Sequence, residues 1–103
     1  MEFLNKIELR GIVENVSLNK VGGLEIARFS LCVEQSYADN DCAVVETTWF
    51  ACSAWGDKCP KITELKRGCS VHVIGRVRTA RYVNVDGEER RIFEVLVQTL
   101  ELI

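Results

Sequence analysis

Five stretches of this chain alternate apolar and polar side chains, and only one short stretch carries helix signals. Strand side chains point to opposite faces in turn, so alternation of period two marks a half-buried strand. Ile7 and Leu9 alternate with Lys6, Glu8 and Arg10 in a strand expected over 3–18. Over 25–36, Ile26, Arg28, Ser30 and Cys32 oppose Ala27, Phe29, Leu31 and Val33. A third strand is expected over 45–55, a fourth over 69–79 with Val71 and Val73 alternating, and a fifth over 90–101, rich in Ile, Phe, Val and Leu. Gly11 in the first strand and Gly75 in the fourth each suggest a bulge or sharp bend.

Turn signals separate these strands. Asn19-Lys20-Val21-Gly22-Gly23 reads as a hairpin turn, residues 37–44 as a polar loop, and Asn84-Val85-Asp86-Gly87-Glu88 as a hairpin centred on Asp-Gly. Asp57 suits the N-cap of a helix over 58–66, with Pro60 in its first turn, Lys66 and Arg67 at its C-terminal end and Gly68 ending it. The order is that of an all-β, five-stranded OB-fold Greek-key barrel, with one short α-helix between strands 3 and 4 and a long hairpin between strands 4 and 5. A ferredoxin-like arrangement needs a second helix; an open meander sheet with one helix is the remaining competitor. At 103 residues, one domain over 1–103 is expected.

Several function classes are disfavoured. Hydrophobic residues make up 48% and charged residues 27%, a balance that excludes disorder. The apolar runs are too short to span a membrane, and the N-terminus lacks the basic and apolar regions of a signal peptide, so a cytoplasmic location is expected. The five cysteines (Cys32, Cys42, Cys52, Cys59, Cys69) include no C-x-x-C, and His72 is the only histidine, so neither a disulfide framework nor a metal site is expected. They read as buried free thiols, and His72 as a structural residue. No phosphate-cradling glycine loop, nucleophile elbow or histidine-based catalytic pair is present; Asp39 and Asp41 offer too few oxygens for a cation. The chain reads as a non-enzyme with no cofactor.

Two segments carry chemistry. In Thr48-Trp49-Phe50-Ala51-Cys52-Ser53-Ala54-Trp55-Gly56, strand parity sets Trp49, Ala51, Ser53 and Trp55 on one face. The two indoles are then about 20 Å apart, six residues at roughly 3.3 Å each, with small side chains between. Arg76-Val77-Arg78-Thr79-Ala80-Arg81-Tyr82 spaces arginines beside an aromatic ring. Flat rings with gaps between them and guanidinium groups alongside suit stacked bases and phosphates. The net charge is only −2, but residues 58–91 hold nine bases against four acids, while the remainder holds four against eleven. A polyanion responds to the local field rather than the total. An outward tryptophan pair also fits packing under a helix or at a subunit interface, and the bases also fit a solvated surface. Glu88 and Glu89 are expected to pair locally with Arg90 and Arg91.

The chain resembles the bacterial single-stranded DNA-binding protein family over nearly its whole length. Asn5-Lys6-Ile7-Glu8-Leu9-Arg10-Gly11 is similar to that family's first strand, Ala27-Arg28-Phe29-Ser30-Leu31 to its second, and Thr48-Trp49-Phe50 through Trp55-Gly56-Asp57-Lys58 to its third. Leu65-Lys66-Arg67-Gly68-Cys69-Ser70-Val71-His72-Val73 and Gly75-Arg76-Val77-Arg78-Thr79 resemble the segments that follow. The resemblance implies sequence-nonspecific binding of single-stranded DNA in replication, recombination and repair. It places the base-stacking rings at Tyr37, Trp49, Trp55 and Tyr82, where the usual family pattern is Trp, Trp, Phe and Trp. Lys58, Lys66, Arg67, Arg76, Arg78 and Arg81 would neutralise phosphates. It also implies a homo-oligomer, usually a tetramer, with a dimer possible and nucleoid association when DNA is bound. Phe50 stands where many members have a histidine at a subunit contact, and the sequence stops at Leu102-Ile103 without the family's acidic recruiting tail. Recruitment of replication or repair proteins through a tail is therefore not carried over. An OB-fold interaction module of the primosomal-adaptor type is the alternative, and RNA binding a further one.

Overall fold

The computed structural model describes all 103 residues. Its elements are β1 (Ile7–Val21), β2 (Leu24–Asp39), β3 (Cys42–Trp55), a 3₁₀ turn (Pro60–Glu64), β4 (Ser70–Val83) and β5 (Glu89–Leu102). The strands close into a barrel in the order β1-β2-β3-β5-β4, with β4 returning to pair with β1. The only parallel pairing joins β3 to β5, from Cys52↔Val95 to Ala54↔Val97. This is the five-stranded barrel expected, and the open meander is ruled out by closure.

The inward parity fills the barrel. Val13, Leu31, Val71 and Val73 are fully buried, and Phe29, Cys52, Val95 and Val97 nearly so. Each large aliphatic or aromatic side chain sealed this way contributes about 1.5–3 kcal/mol. Closure demands that β1 and β4 bend sharply, and Gly11 and Gly75 sit at those places. A Cβ on Gly11 would lie 2.3 Å from the Cys32 carbonyl oxygen, and one on Gly75 would lie 2.1 Å from that of Leu96. Gly75 also adjoins the register shift of the β4–β5 ladder. In β1 the irregularity falls later than expected, between Glu14 and Ser17, where Asn15 adopts a φ of 52°. Gly11 instead marks the close approach where β1 passes from β4 to β2; its neighbour Ile12 pairs with both Ser70 and Cys32.

Three expectations need correction. The polar loop at 37–44 is the tip of a long ribbon in which β2 and β3 stay paired to Asp39↔Cys42. A turn with Asn40 and Asp41 at φ of 49° and 65° closes it, a conformation those residues tolerate and that matches strand twist. Beyond the barrel both ribbon faces meet water, so alternation fades and the stretch imitates a loop. The first strand likewise begins at Ile7 and runs on to Val21. The expected α-helix over 58–66 is only a five-residue 3₁₀ turn capped at Cys59, not Asp57. Its bonds run from Ile62 N–H to Cys59 O and from Leu65 N–H to Ile62 O. Pro60 supplies no amide donor, and so short a segment cannot offset the cost of an α-helical nucleus. The turn plugs the barrel: Ile62 is fully buried, with Cys59 and Leu65 beside it.

Candidate nucleic-acid interface

Ladder register brings the two sequence segments onto one surface. On the outer face of β3, Trp55, Ser53, Ala51 and Trp49 lie opposite Ile26, Arg28, Ser30 and Cys32 of β2. On the other side of β3, the parallel pairing sets Leu96 beside Ser53. From β5 the same face continues to β4, where Leu96 meets Arg76, Glu94 meets Arg78, Ile92 meets Ala80 and Arg90 meets Tyr82. Trp49, Trp55, Arg76, Arg78 and Tyr82 therefore share the outward parity of four adjacent strands.

The rings are unequally held. Trp49 is 58% exposed and Tyr82 is 49% exposed. Trp55 is half-buried at the barrel end and lines a cavity of about 190 Å³ with Asp57, Lys58, Arg76, Arg78 and Leu96. Between the indoles, Ala51 is exposed while Ser53 is buried beneath its neighbours. Tyr37 is also exposed, but it pairs with Val44 and so falls on the opposite face of the β2–β3 ribbon from Trp49.

The cations fall into four groups. Arg76 and Lys58 are exposed beside Trp55. Arg78 is committed: its Nε and Nη2 donate to Glu94 Oε1 at 2.9 and 2.7 Å, and Ser53 Oγ donates to the same oxygen at 2.9 Å. The Glu94 side chain is 11% exposed and that of Arg78 is 37% exposed, so the pair forms a partly sheltered clamp beneath the surface between the rings. Arg81 lines an open cleft with Arg28, Arg78, Tyr82, Ile92 and Glu94 and meets Glu89 at 3.6 Å. Arg67 donates to Glu14 of β1 at 2.7 Å; β1 is two strands from β3, and neither Lys66 nor Arg67 lines the two clefts.

Sequence reasoning passed over Arg28, Ser53 and Glu94. Arg28 shared a parity with Ser30 and Cys32, which was legible, but its place opposite Ser53 depends on a register that no local pattern prints. His72 sits on a different flank, contacted by Glu8 and, at 3.9 Å, by Glu101. All five cysteines are unpaired. Cys52 and Cys59 are buried, but Cys42 is exposed at the ribbon tip, against the expectation of a core thiol, because both faces there meet water. Burial, reinforced by the Glu94 charge, pushes the Cys52 thiol up to about 12. Burial and the Asp57 charge raise Cys59, with Lys58 opposing.

Fold and surface together define an OB-fold barrel with an outward band of rings and cations. Residues 4–103 match the model of the Single-strand binding protein family, and the chain belongs to that family. Proteins named single-stranded DNA-binding protein from Chlamydia trachomatis serovar D and Chlamydia muridarum are each 32% identical to it over 81 residues, covering 78% of this chain and 49% of theirs. The chain thus spans about half the length of the curated relatives it matches. Among solved structures it is similar to the Plasmodium falciparum SSB in complex with ssDNA, with a TM-score of 0.81 and 24% identity, over 100% of this chain and 96% of that one.

Proposed function

We propose that the chain binds single-stranded DNA with little sequence preference, holding it unpaired and protected during replication, recombination and repair. The observation that carries this reading is the single outer surface on which exposed Trp49, half-buried Trp55 and exposed Tyr82 alternate with unpaired cations. Bases would stack on these rings, each stack contributing about 1–3 kcal/mol regardless of base identity. Arg28, Arg76 and Lys58 are the nearest cations without an ion pair and would take phosphates first. Arg81 would follow, while Lys66 and Arg67 would serve a strand that continues around the barrel towards β1. Tyr37 would stack a base on the reverse of the β2–β3 ribbon.

The family membership and the names of the chlamydial relatives support the same reading, as binding without catalysis. A homo-oligomer, a tetramer by resemblance, is part of the proposal; exposed Ile12, Leu18, Val21 and Leu24 offer it apolar surface. No helix is long and apolar enough to cross a membrane, and a cytoplasmic, nucleoid-associated location is proposed with the function. Titration with oligo-dT should quench tryptophan emission, with affinity falling as salt rises. Absence of both quenching and a mobility shift at saturating oligo-dT and low salt would overturn it, and native mass on the same samples gives the assembly.

A further inference from the structure

The β4–β5 ribbon carries rings and arginines on both of its faces. One face, with Ala80, Tyr82, Arg90 and Ile92, belongs to the surface above. On the other, Thr79 lies opposite Phe93, Arg81 opposite Arg91 and Val83 opposite Glu89. Phe93 is 77% exposed, although Val95, two residues along the same parity, is buried in the core. Arg81 and Arg91 face each other directly across an antiparallel ladder, where like charges repel.

The expected local pairing compensates this repulsion only in part. Glu88 is taken by Arg90 at 2.8 Å, Glu89 reaches Arg81 at 3.6 Å, and Arg91 has no ion pair. An exposed ring beside two guanidinium groups, one loosely paired and one without an acid, matches a stacked base and its phosphates. That charge favours a polyanion over an apolar protein surface as the occupant. The back face is also continuous with the front, because Arg81 lines the Tyr82 cleft while pairing across to Arg91. Phe93 lies three residues along β5 from Arg90, the ladder partner of Tyr82, a distance of about 10 Å at the usual strand rise. The β1 ladder ends at Gly75 and the Asn5 side chain bonds Val77; beyond it no strand pairs with the other edge of β4, which is open.

We infer that this back face is a second subsite for single-stranded nucleic acid. Phe93 stacks a base, and Arg81 and Arg91 hold the phosphates of a strand that has crossed the open edge of β4 from Tyr82. The inference rests on the binding function proposed above and extends it to longer strands. The test titrates the wild-type protein, Phe93→Ala, Arg91→Ala and Phe93→Trp with two lengths of oligo-dT: one that the Trp49–Trp55 surface alone accommodates, and one several times longer. With the short strand all four should bind alike. With the long strand, Phe93→Ala should bind about 5- to 150-fold more weakly, the range of one lost stack. Arg91→Ala should reduce the salt slope by about 0.7. Phe93→Trp should add indole emission that only the long strand quenches. Unchanged long-strand affinity in Phe93→Ala, with an unquenched indole in Phe93→Trp, overturns the subsite. A changed native mass in Phe93→Ala overturns it too, by assigning the ring to a second copy of the chain. Failure of the wild-type protein to bind even the short strand overturns the proposed function itself.

Discussion

Replacing Glu94 separates the two roles that its clamp combines. One carboxylate oxygen accepts from Arg78 Nε, Arg78 Nη2 and Ser53 Oγ, all within 2.7–2.9 Å. Removing one partner of a fully buried pair costs about 3–5 kcal/mol. Arg78 is more than a third exposed and can turn to water, which lowers its share to about 1 kcal/mol. Ser53 is 1% exposed, and its hydroxyl would lose its acceptor at a cost of about 1–2 kcal/mol. Glu94→Ala should therefore destabilise by about 2–3 kcal/mol. Glu94→Gln keeps an acceptor for both donors and should cost about 1 kcal/mol. Urea unfolding measures both. In binding the sign reverses: Glu94→Gln removes a negative charge from beside the rings and leaves the Arg78 charge uncompensated. Oligo-dT should bind more tightly at low salt, with a salt slope steeper by about 0.7, the value of one more phosphate contact on a single strand. Adding Arg78→Ala to Glu94→Gln should remove that extra slope. An unchanged or shallower slope in Glu94→Gln with its stability intact would refute the reasoning, because Arg78 would then already be contacting phosphate with Glu94 in place.

Trp49→Ala should weaken oligo-dT binding by about 1–3 kcal/mol by fluorescence or mobility shift, while urea unfolding moves by less than about 0.5 kcal/mol, because the ring is already 58% exposed. Gly75→Ala should behave oppositely: its Cβ would meet the Leu96 carbonyl oxygen at 2.1 Å, a backbone atom that cannot swing aside. A loss of about 3 kcal/mol or more is expected, read as a lowered urea midpoint or loss of soluble barrel. In native protein a thiol reagent should label exposed Cys42 readily and leave Cys52 and Cys59 untouched until urea opens the barrel. Stability should also fall in alkali. An unfolded Cys52 thiol ionises above its ordinary value of 9.0, while the folded one does so only near 12. The stabilisation is therefore complete below pH 9 and declines by up to about 1.4 kcal/mol per unit as pH rises towards 12. Cys52→Ala should flatten that decline.

Parity was legible in the sequence and register was not. Alternation alone set Trp49 and Trp55 on one face, and Arg76 and Arg78 on another, because side-chain direction is a local property of a strand. That those faces adjoin follows from β5 lying between β3 and β4, a long-range pairing that no window of the sequence contains. Arg28 and Glu94 went unassigned for the same reason, since each acquires its neighbours only through the ladder. The bend glycines were readable, although Gly11 answers a close approach while the bulge itself sits near Asn15. The ribbon at 37–44 and the 3₁₀ turn failed for opposite physical reasons. The ribbon has no buried face to print a period, and the turn has helix-like end residues and composition but no side-chain cap and too little length to sustain an α-helix.

Under the proposed function, a net-acidic chain would accommodate a polyanion by where its acids are tied. Glu14 is held by Arg67, Glu94 by Arg78, Glu88 by Arg90, and Glu8 lies against His72 on another flank. At physiological salt a charge is felt over about 8 Å. The molecule measures 53 × 38 × 35 Å, so carboxylates on one side of the barrel contribute little to the field on the other. A phosphate near Trp55 would meet Lys58 and Arg76 without ion pairs and exposed Asp57, with Arg28 and a Glu94 already neutralised by Arg78 in the adjoining cleft. The same clamp takes up the Ser53 hydroxyl, which is buried against Glu94, and leaves Ala51 exposed between the indoles. In the proposed function the small Ala51 suits bases, because a bulky side chain between the rings would lift them off both. The ion pair that lowers the local positive charge is thus also what satisfies the buried hydroxyl on that face.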